Sequence, residues 1–279
     1  MSFFDRLMSI DRRIIYIILA VAIAFPMFQP IGLPVAHEQP AAVLYNYIKD
    51  LPAGTPVIYS ADLSASGVTE LKPMVDVLVD LSLELGHHVI LMALWADGAN
   101  LMKAWTDPIL ARHEAEYGVD YIDLGYIPSY TAFLEASRTD FKASCNGGVD
   151  VNRNRLDTFP IMSNISVSSD IKAVVSFGTG DPGYTHWIQY WYATGDCDAI
   201  LGGQVAVNYP NALNAFNAGN LKGVAGGLGG AATLEMEHGV LGGAHGASDS
   251  QSFGHLAIIL FLILGNVGYF GSRRESELK

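Results

Sequence analysis

The residues best suited to chemistry form one short run, Gly178-Thr179-Gly180-Asp181-Pro182-Gly183. Glycines let backbone N–H groups converge on an anion, and a helix start just beyond them favours negative charge. The run lacks the lysine with which a P-loop grips a phosphate. Asp181 also suits a helix cap with Pro182 at the first helical position, and capping is the preferred reading. In an open parallel sheet, ligands bind beyond the carboxyl ends of the strands. The candidate ligand-binding set is therefore Asp62, Asp97, Gly178, Thr179, Gly180, Asp181 and Gln204. Among these, Asp62, Asp97 and Asp181 are the carboxylates whose pKa a catalytic role would displace.

A second glycine cluster, Gly226-Gly227-Leu228-Gly229-Gly230-Ala231-Ala232, suits either close approach to a phosphate or carboxylate, or tight packing between helices or subunits. His238, His245 and His255 gather late, with Glu235 and Glu237 beside them, but their spacing matches no metal motif. Neither G-x-S-x-G nor C-x-x-C occurs. No metal and no cofactor is expected, and catalysis is not the favoured reading. The two cysteines, Cys145 and Cys197, admit one disulfide if the domain meets an oxidising compartment, with two separate buried thiols as the alternative.

These residues need a frame, and short apolar runs alternate with helical patterns between residues 36 and 236. Strands are expected at 57–60, 89–94, 119–124, 171–177, 198–202 and 221–225. Helices are expected at 68–86, 98–117, 129–136, 184–193 and 208–217. Leu71, Met74, Val75, Leu78, Val79, Leu81 and Leu85 make an apolar stripe on the first of these helices. Residues 137–170, rich in Asn, Asp, Ser and Arg, break the rhythm as an irregular insertion. This alternation predicts a doubly wound, mostly parallel α/β sheet of Rossmann-like or flavodoxin-like order.

Two apolar runs lie outside that frame. Charged residues make up only 16% of the 279, below the ~25% usual for soluble domains, and half the chain is hydrophobic. Residues 14–35 and 255–271 carry no charge and are read as transmembrane helices. The first is taken as a retained anchor, since Val35-Ala36-His37 is a poor signal cleavage site. Residues 237–254 read as a Gly/His/Ser-rich tether. Basic residues flank both runs at 1–13 and 272–279, whereas the middle holds ten basic against 24 acidic residues, a formal charge of −14. Both termini are therefore expected in the cytoplasm and the acidic domain outside, at a bacterial or archaeal plasma membrane. That acidity argues against nucleic acid as a partner.

Several stretches carry a family resemblance. Ile10-Asp11-Arg12-Arg13-Ile14-Ile15-Tyr16, Leu51-Pro52-Ala53-Gly54-Thr55-Pro56-Val57, Glu70-Leu71-Lys72-Pro73-Met74, the Gly226–Ala232 cluster and Ser250-Gln251-Ser252-Phe253-Gly254-His255 all contribute. Together they resemble a family of bacterial and archaeal membrane proteins of uncharacterised role. The resemblance implies two terminal transmembrane helices around an extracytoplasmic Rossmann-like domain, and implies no activity.

Tyr184, Trp187, Tyr190 and Trp191 make the densest aromatic stretch, part of it core and part a candidate partner surface. Gly265, Gly268 and Gly271 place small residues along the last apolar run. The expected function is a non-catalytic subunit or scaffold of a membrane-anchored, self-associating assembly, with the lipid bilayer as its first partner. Two alternatives are a tethered small-molecule binding or sensing module at the strand-end crevice, and an enzyme of unrecognised class.

Overall fold

In the computed structural model, residues 9–277 are described, with Phe3 and Arg6 ahead of them and side chains as far as Arg274. The tails expected at 1–13 and 272–279 thus lie partly outside the described residues. The chain divides into two compact units, residues 35–240 and a second made of 1–34 and 241–279.

The larger unit is built on six parallel strands. These are β1 (Pro56–Asp62), β2 (His88–Ala93), β3 (Tyr121–Tyr126), β4 (Ala173–Gly178), β5 (Ala199–Gln204) and β6 (Gly223–Gly226), in the order β3-β2-β1-β4-β5-β6. The order reverses between β1 and β4, which is the switch point of a Rossmann-like sheet. All six strands fall on the expected apolar runs, with β3, β4 and β6 each starting two residues late. Ile58, Ile90, Ile122, Val174 and Ile200 stand side by side on one face, because period-two alternation and in-register pairing bring them together.

The chain's first helix, α1 (Arg12–Phe28), belongs to the smaller unit. In the larger unit α2 (Gln39–Lys49), α3 (Val68–Glu84) and α4 (Ala96–Arg112) come first. After them follow α5 (Tyr130–Ala136), α6 (Phe141–Ser144), α7 (Tyr184–Trp187), α8 (Tyr209–Asn217) and α9 (Gly227–Glu237). Neighbouring contacts join α4, α3, α9 and α2 into one layer. Two of these helices were not foreseen. Gly223 permits α2 to lie on β6, since a Cβ there would meet the Leu44 backbone. The glycine cluster is itself the first turns of α9, stabilised by packing rather than by helix propensity.

The aromatic stretch is α7 followed by a π-turn, Ile188–Tyr192. Of the candidate interface residues, Trp187 and Trp191 are wholly buried and Tyr184 is buried, so these three belong to the core part of the stretch, while Tyr190 is half-buried. Their indole rings meet edge to face at 4.8 Å, and the 137–170 insertion closes over them with Phe141, Cys145, Leu156, Ile161, Met162 and Ile165. The insertion folds as α6 and three short 3₁₀ turns. It is a lid on the core rather than an excursion from it.

No disulfide forms. Cys145 and Cys197 are separate buried thiols, donating to the carbonyls of Phe141 and Ala199 respectively. Burial pushes the Cys197 thiol up to about 12 and the Cys145 thiol higher still.

The smaller unit pairs α1 with α10 (Gly243–Glu277). Among the described residues, one helix, over Gly243–Arg274, is long and apolar enough to cross a membrane. Of the span expected at 14–35, the part up to Phe28 is helical, and the 17 residues of α1 rise about 25 Å against a ~30 Å hydrocarbon core. Pro30 and Pro34 follow where the helix has ended. The tether expected at 237–254 is largely helical, because α10 starts at Gly243. Asp249 on α10 is buried and accepts the N–H groups of Ile31, Gly32 and Leu33 at 2.7, 2.9 and 3.0 Å. That carboxylate satisfies the backbone donors left open where α1 stops.

Candidate functional site at the two edges of the sheet

Pairing sets Asp62, Gly178, Gln204 and Gly226 in one row across the ends of β1, β4, β5 and β6. The sheet thus brings together three of the residues expected to bind a ligand, but it uses them internally. Asp62 is fully buried. Its Oδ1 accepts from Ser60 Oγ at 2.5 Å and the Leu94 N–H at 3.1 Å. Its Oδ2 accepts from Ser176 Oγ at 2.7 Å and Trp187 Nε1 at 3.0 Å. Desolvation raises the Asp62 pKa, against the lowering effect of those four bonds. Each oxygen meets two donors, so the carboxylate ties β1 to β2, β4 and α7 and has no lone pair left for a ligand.

The neighbours are consumed in the same way. Gln204 is buried and donates through Nε2 to the Ser176 carbonyl at 3.2 Å. A Cβ on Gly178 would lie 2.8 Å from Gln204 Oε1, so glycine is needed there. Thr179 Oγ1 accepts the Ser64 N–H at 3.0 Å, joining the loops that follow β1 and β4 across the switch point. Trp95 Nε1 donates to the Pro182 carbonyl at 3.1 Å. Asp181 does not cap the helix, which starts after Gly183; its exposed carboxylate lies 3.1 Å from His186 Nδ1. Gly180 is exposed, and so is Asp97, in the first turn of α4, which makes no hydrogen bond among the described residues.

The glycines of α9 are explained by the chain's own groups. Tyr209 packs on Gly226, Glu38 on Gly229, and Glu70 on Gly227. Glu70 Oε2 also accepts the Ala206 N–H at 2.6 Å. The cluster thus serves close packing of α9 against the chain's own groups, two of them carboxylates. Desolvation raises the Glu38 pKa, with a hydrogen bond from Tyr209 opposing it.

A second polar cluster forms at the other edge, where α3, α4 and α9 return to the beginnings of the strands. Asp80 Oδ2 lies 2.9 Å from His238 Nε2, and Asp80 Oδ1 lies 2.5 Å from His113 Nε2 and also bonds Arg112. His238 Nδ1 is 3.2 Å from the Tyr45 hydroxyl. Desolvation works to raise the Asp80 pKa, but bonds from His113, His238 and Arg112 outweigh it and hold the carboxyl at about 2. Glu84, one turn beyond Asp80, completes a set with Asp80 and His238 whose ligand atoms all lie within 4.8 Å of one another. Sequence reasoning missed this cluster. Asp80 and Glu84 have i,i+4 spacing, but no pattern ties them to His113 or His238, which end other helices.

Comparison with protein-family models, with curated proteins and with solved structures gives no match.

Proposed function

We propose that this chain is a non-catalytic subunit of a self-associating membrane assembly. Both terminal helices anchor it, with both termini in the cytoplasm and the acidic α/β domain outside. The observation that carries the reading is Asn266. It is exposed in the apolar stretch of α10, and among the described residues its amide bonds only the Leu262 carbonyl of its own helix, at 2.8 Å. An amide at hydrocarbon depth gains by pairing across helices, and such bonds contribute roughly 0.6–2 kcal/mol. Gly265 beside it faces open space, which leaves room for another backbone to approach; Gly268 is buried and Gly271 half-buried. Uncovered Ile14, Ile17, Val21 and Phe25 on α1, with Leu256, Ile259, Leu262 and Ile263 on α10, support lipid around both helices. The short α1 reaches the interface with the help of Arg12 and Arg13 at its start.

The test is the mass of the full-length chain in gentle detergent. A uniform multimer that shifts toward monomer on Asn266→Leu is expected. A monodisperse monomer overturns the proposal. Should that occur, the switch point between β1 and β4 favours a second reading, a tethered binding module whose rim is Trp95, Asp181 and His186. Thermal stabilisation by a small anion, lost in Asp181→Ala, would then be the result to seek.

A further inference from the structure

The cluster at the helix ends has the makings of a metal site, and the geometry points to a single divalent transition ion, with Zn²⁺ as the probe, held by Asp80, Glu84 and His238. Three observations converge on it.

The first is spacing. Two donor atoms each about 2.0–2.2 Å from one ion stand about 2.9 Å apart at a right angle and about 3.4 Å apart at a tetrahedral angle. His238 Nε2 and Asp80 Oδ2 are 2.9 Å apart, and a Glu84 oxygen completes a triangle with no side above 4.8 Å. The ion takes the place of the proton between His238 and Asp80. The neutral imidazole then carries its one proton on Nδ1, donated to the Tyr45 hydroxyl. Only a second proton, where His238 was an imidazolium, leaves to solvent.

The second is the surroundings of those ligands. His238 Nδ1 is engaged by Tyr45, which directs Nε2 at Asp80, and the side chain is only 8% exposed. The other oxygen of Asp80 is held by His113 and by Arg112. Outer contacts of this kind orient metal ligands and fix the imidazole tautomer. His113 and Arg112 are therefore positioning residues for Asp80, leaving open positions on the ion for water.

The third is Glu84. Its carboxylate faces Asp80 and His238 yet makes no hydrogen bond among the described residues, so its lone pairs have no protein donor. Two carboxylates one helical turn apart repel each other unless a cation lies between them. The ends of α3, α4 and α9 meet here, and helix C-termini add partial negative charge that favours a cation. A plain ion-pair cluster accounts for Asp80, His113 and Arg112 but gives Glu84 no role.

Glu84 is thus the residue that separates the two accounts. Full-length protein in detergent is stripped with chelator, dialysed against Zn²⁺, and assayed for bound zinc and for the zinc-dependent rise in Tm. About one zinc per chain is expected, with affinity reduced about tenfold or more in Glu84→Gln and in His238→Asn. Without zinc, Glu84→Gln should unfold at the wild-type temperature, since it loses no hydrogen bond. Absence of retained zinc overturns the site. So does zinc retained equally by both variants, which would locate it on other histidines such as His37, paired with Glu237.

Discussion

Asp62 and Asp80 serve opposite edges of one sheet, and their surroundings differ in kind. Asp62 meets four neutral donors, is inaccessible to solvent, and has a raised pKa because desolvation prevails. Asp80 meets a guanidinium and two imidazoles near the surface, and its pKa falls to about 2. The first is saturated by the fold. The second lies beside a carboxylate that the fold leaves without a donor. A polar residue at a strand end thus belongs to the frame when protein donors fill its lone pairs, whatever its position in the topology suggests.

The largest test of that contrast is Asp62→Ala. It strands the Trp187 indole N–H and the Leu94 amide in a dry interior, and each such donor costs about 1–3 kcal/mol, so a loss of roughly 3–5 kcal/mol is expected. Urea unfolding followed by tryptophan fluorescence should show a lower midpoint with an unchanged slope. A variant as stable as wild type would mean that the carboxylate is not structural, and the comparison would collapse.

Asp249 extends the rule to the helical unit. Asp249→Ala removes the acceptor of three backbone N–H groups where α1 ends, at a cost of about 2–3 kcal/mol. Faster proteolysis within residues 29–38 is expected, and an unchanged cleavage rate would show that water replaces the carboxylate without penalty.

Much of the frame was legible in the sequence, because apolar runs and turn residues mark parallel strands and every strand was located. Strand ends were legible too, and Asp62, Gly178 and Gln204 do stand in one row. Whether their lone pairs were free was not legible. That depended on Trp187, distant in the chain, reaching back from α7 to Asp62. The same burial put Trp187 and Trp191 in the core, since a run such as Trp187-Ile188-Gln189-Tyr190-Trp191 reads alike whether a lid covers it or water does. The Asp80 cluster was invisible for a related reason: its members end three helices that only the tertiary fold brings together. Gly227 to Gly230 misled in the other direction, because glycines needed for close packing start a helix that their propensity opposes.

Asp62→Asn sharpens the comparison by changing charge and donors together. Ser176 can turn its hydroxyl to accept from the new amide, but neither Trp187 nor the Leu94 N–H can accept, so one orientation or the other leaves a donor facing a donor. A loss of about 1–2 kcal/mol at pH 7 is expected. The pH dependence follows from sign. The folded pKa lies above the unfolded value near 3.9, so the folded state takes up its proton first as pH falls. Relief of the buried charge begins as pH drops through the folded pKa and is complete below ~3.9. The gap between wild type and variant should therefore widen in the wild type's favour on acidification. A gap that stays flat would indicate that Asp62 has the same pKa folded and unfolded, so that burial does not penalise its charge.

Glu84→Gln makes the same chemical change at the other edge, and the smallest effect is expected there. The side chain is exposed and gives up no hydrogen bond, so the metal-free unfolding midpoint should stay within about 0.5 kcal/mol of wild type. A small gain is consistent as well, because the amide no longer repels Asp80 one turn away. A loss comparable to Asp62→Asn would mean that Glu84 is held by the fold after all. One substitution, carboxylate to amide, thus separates a residue that the fold has used from one that it has left available.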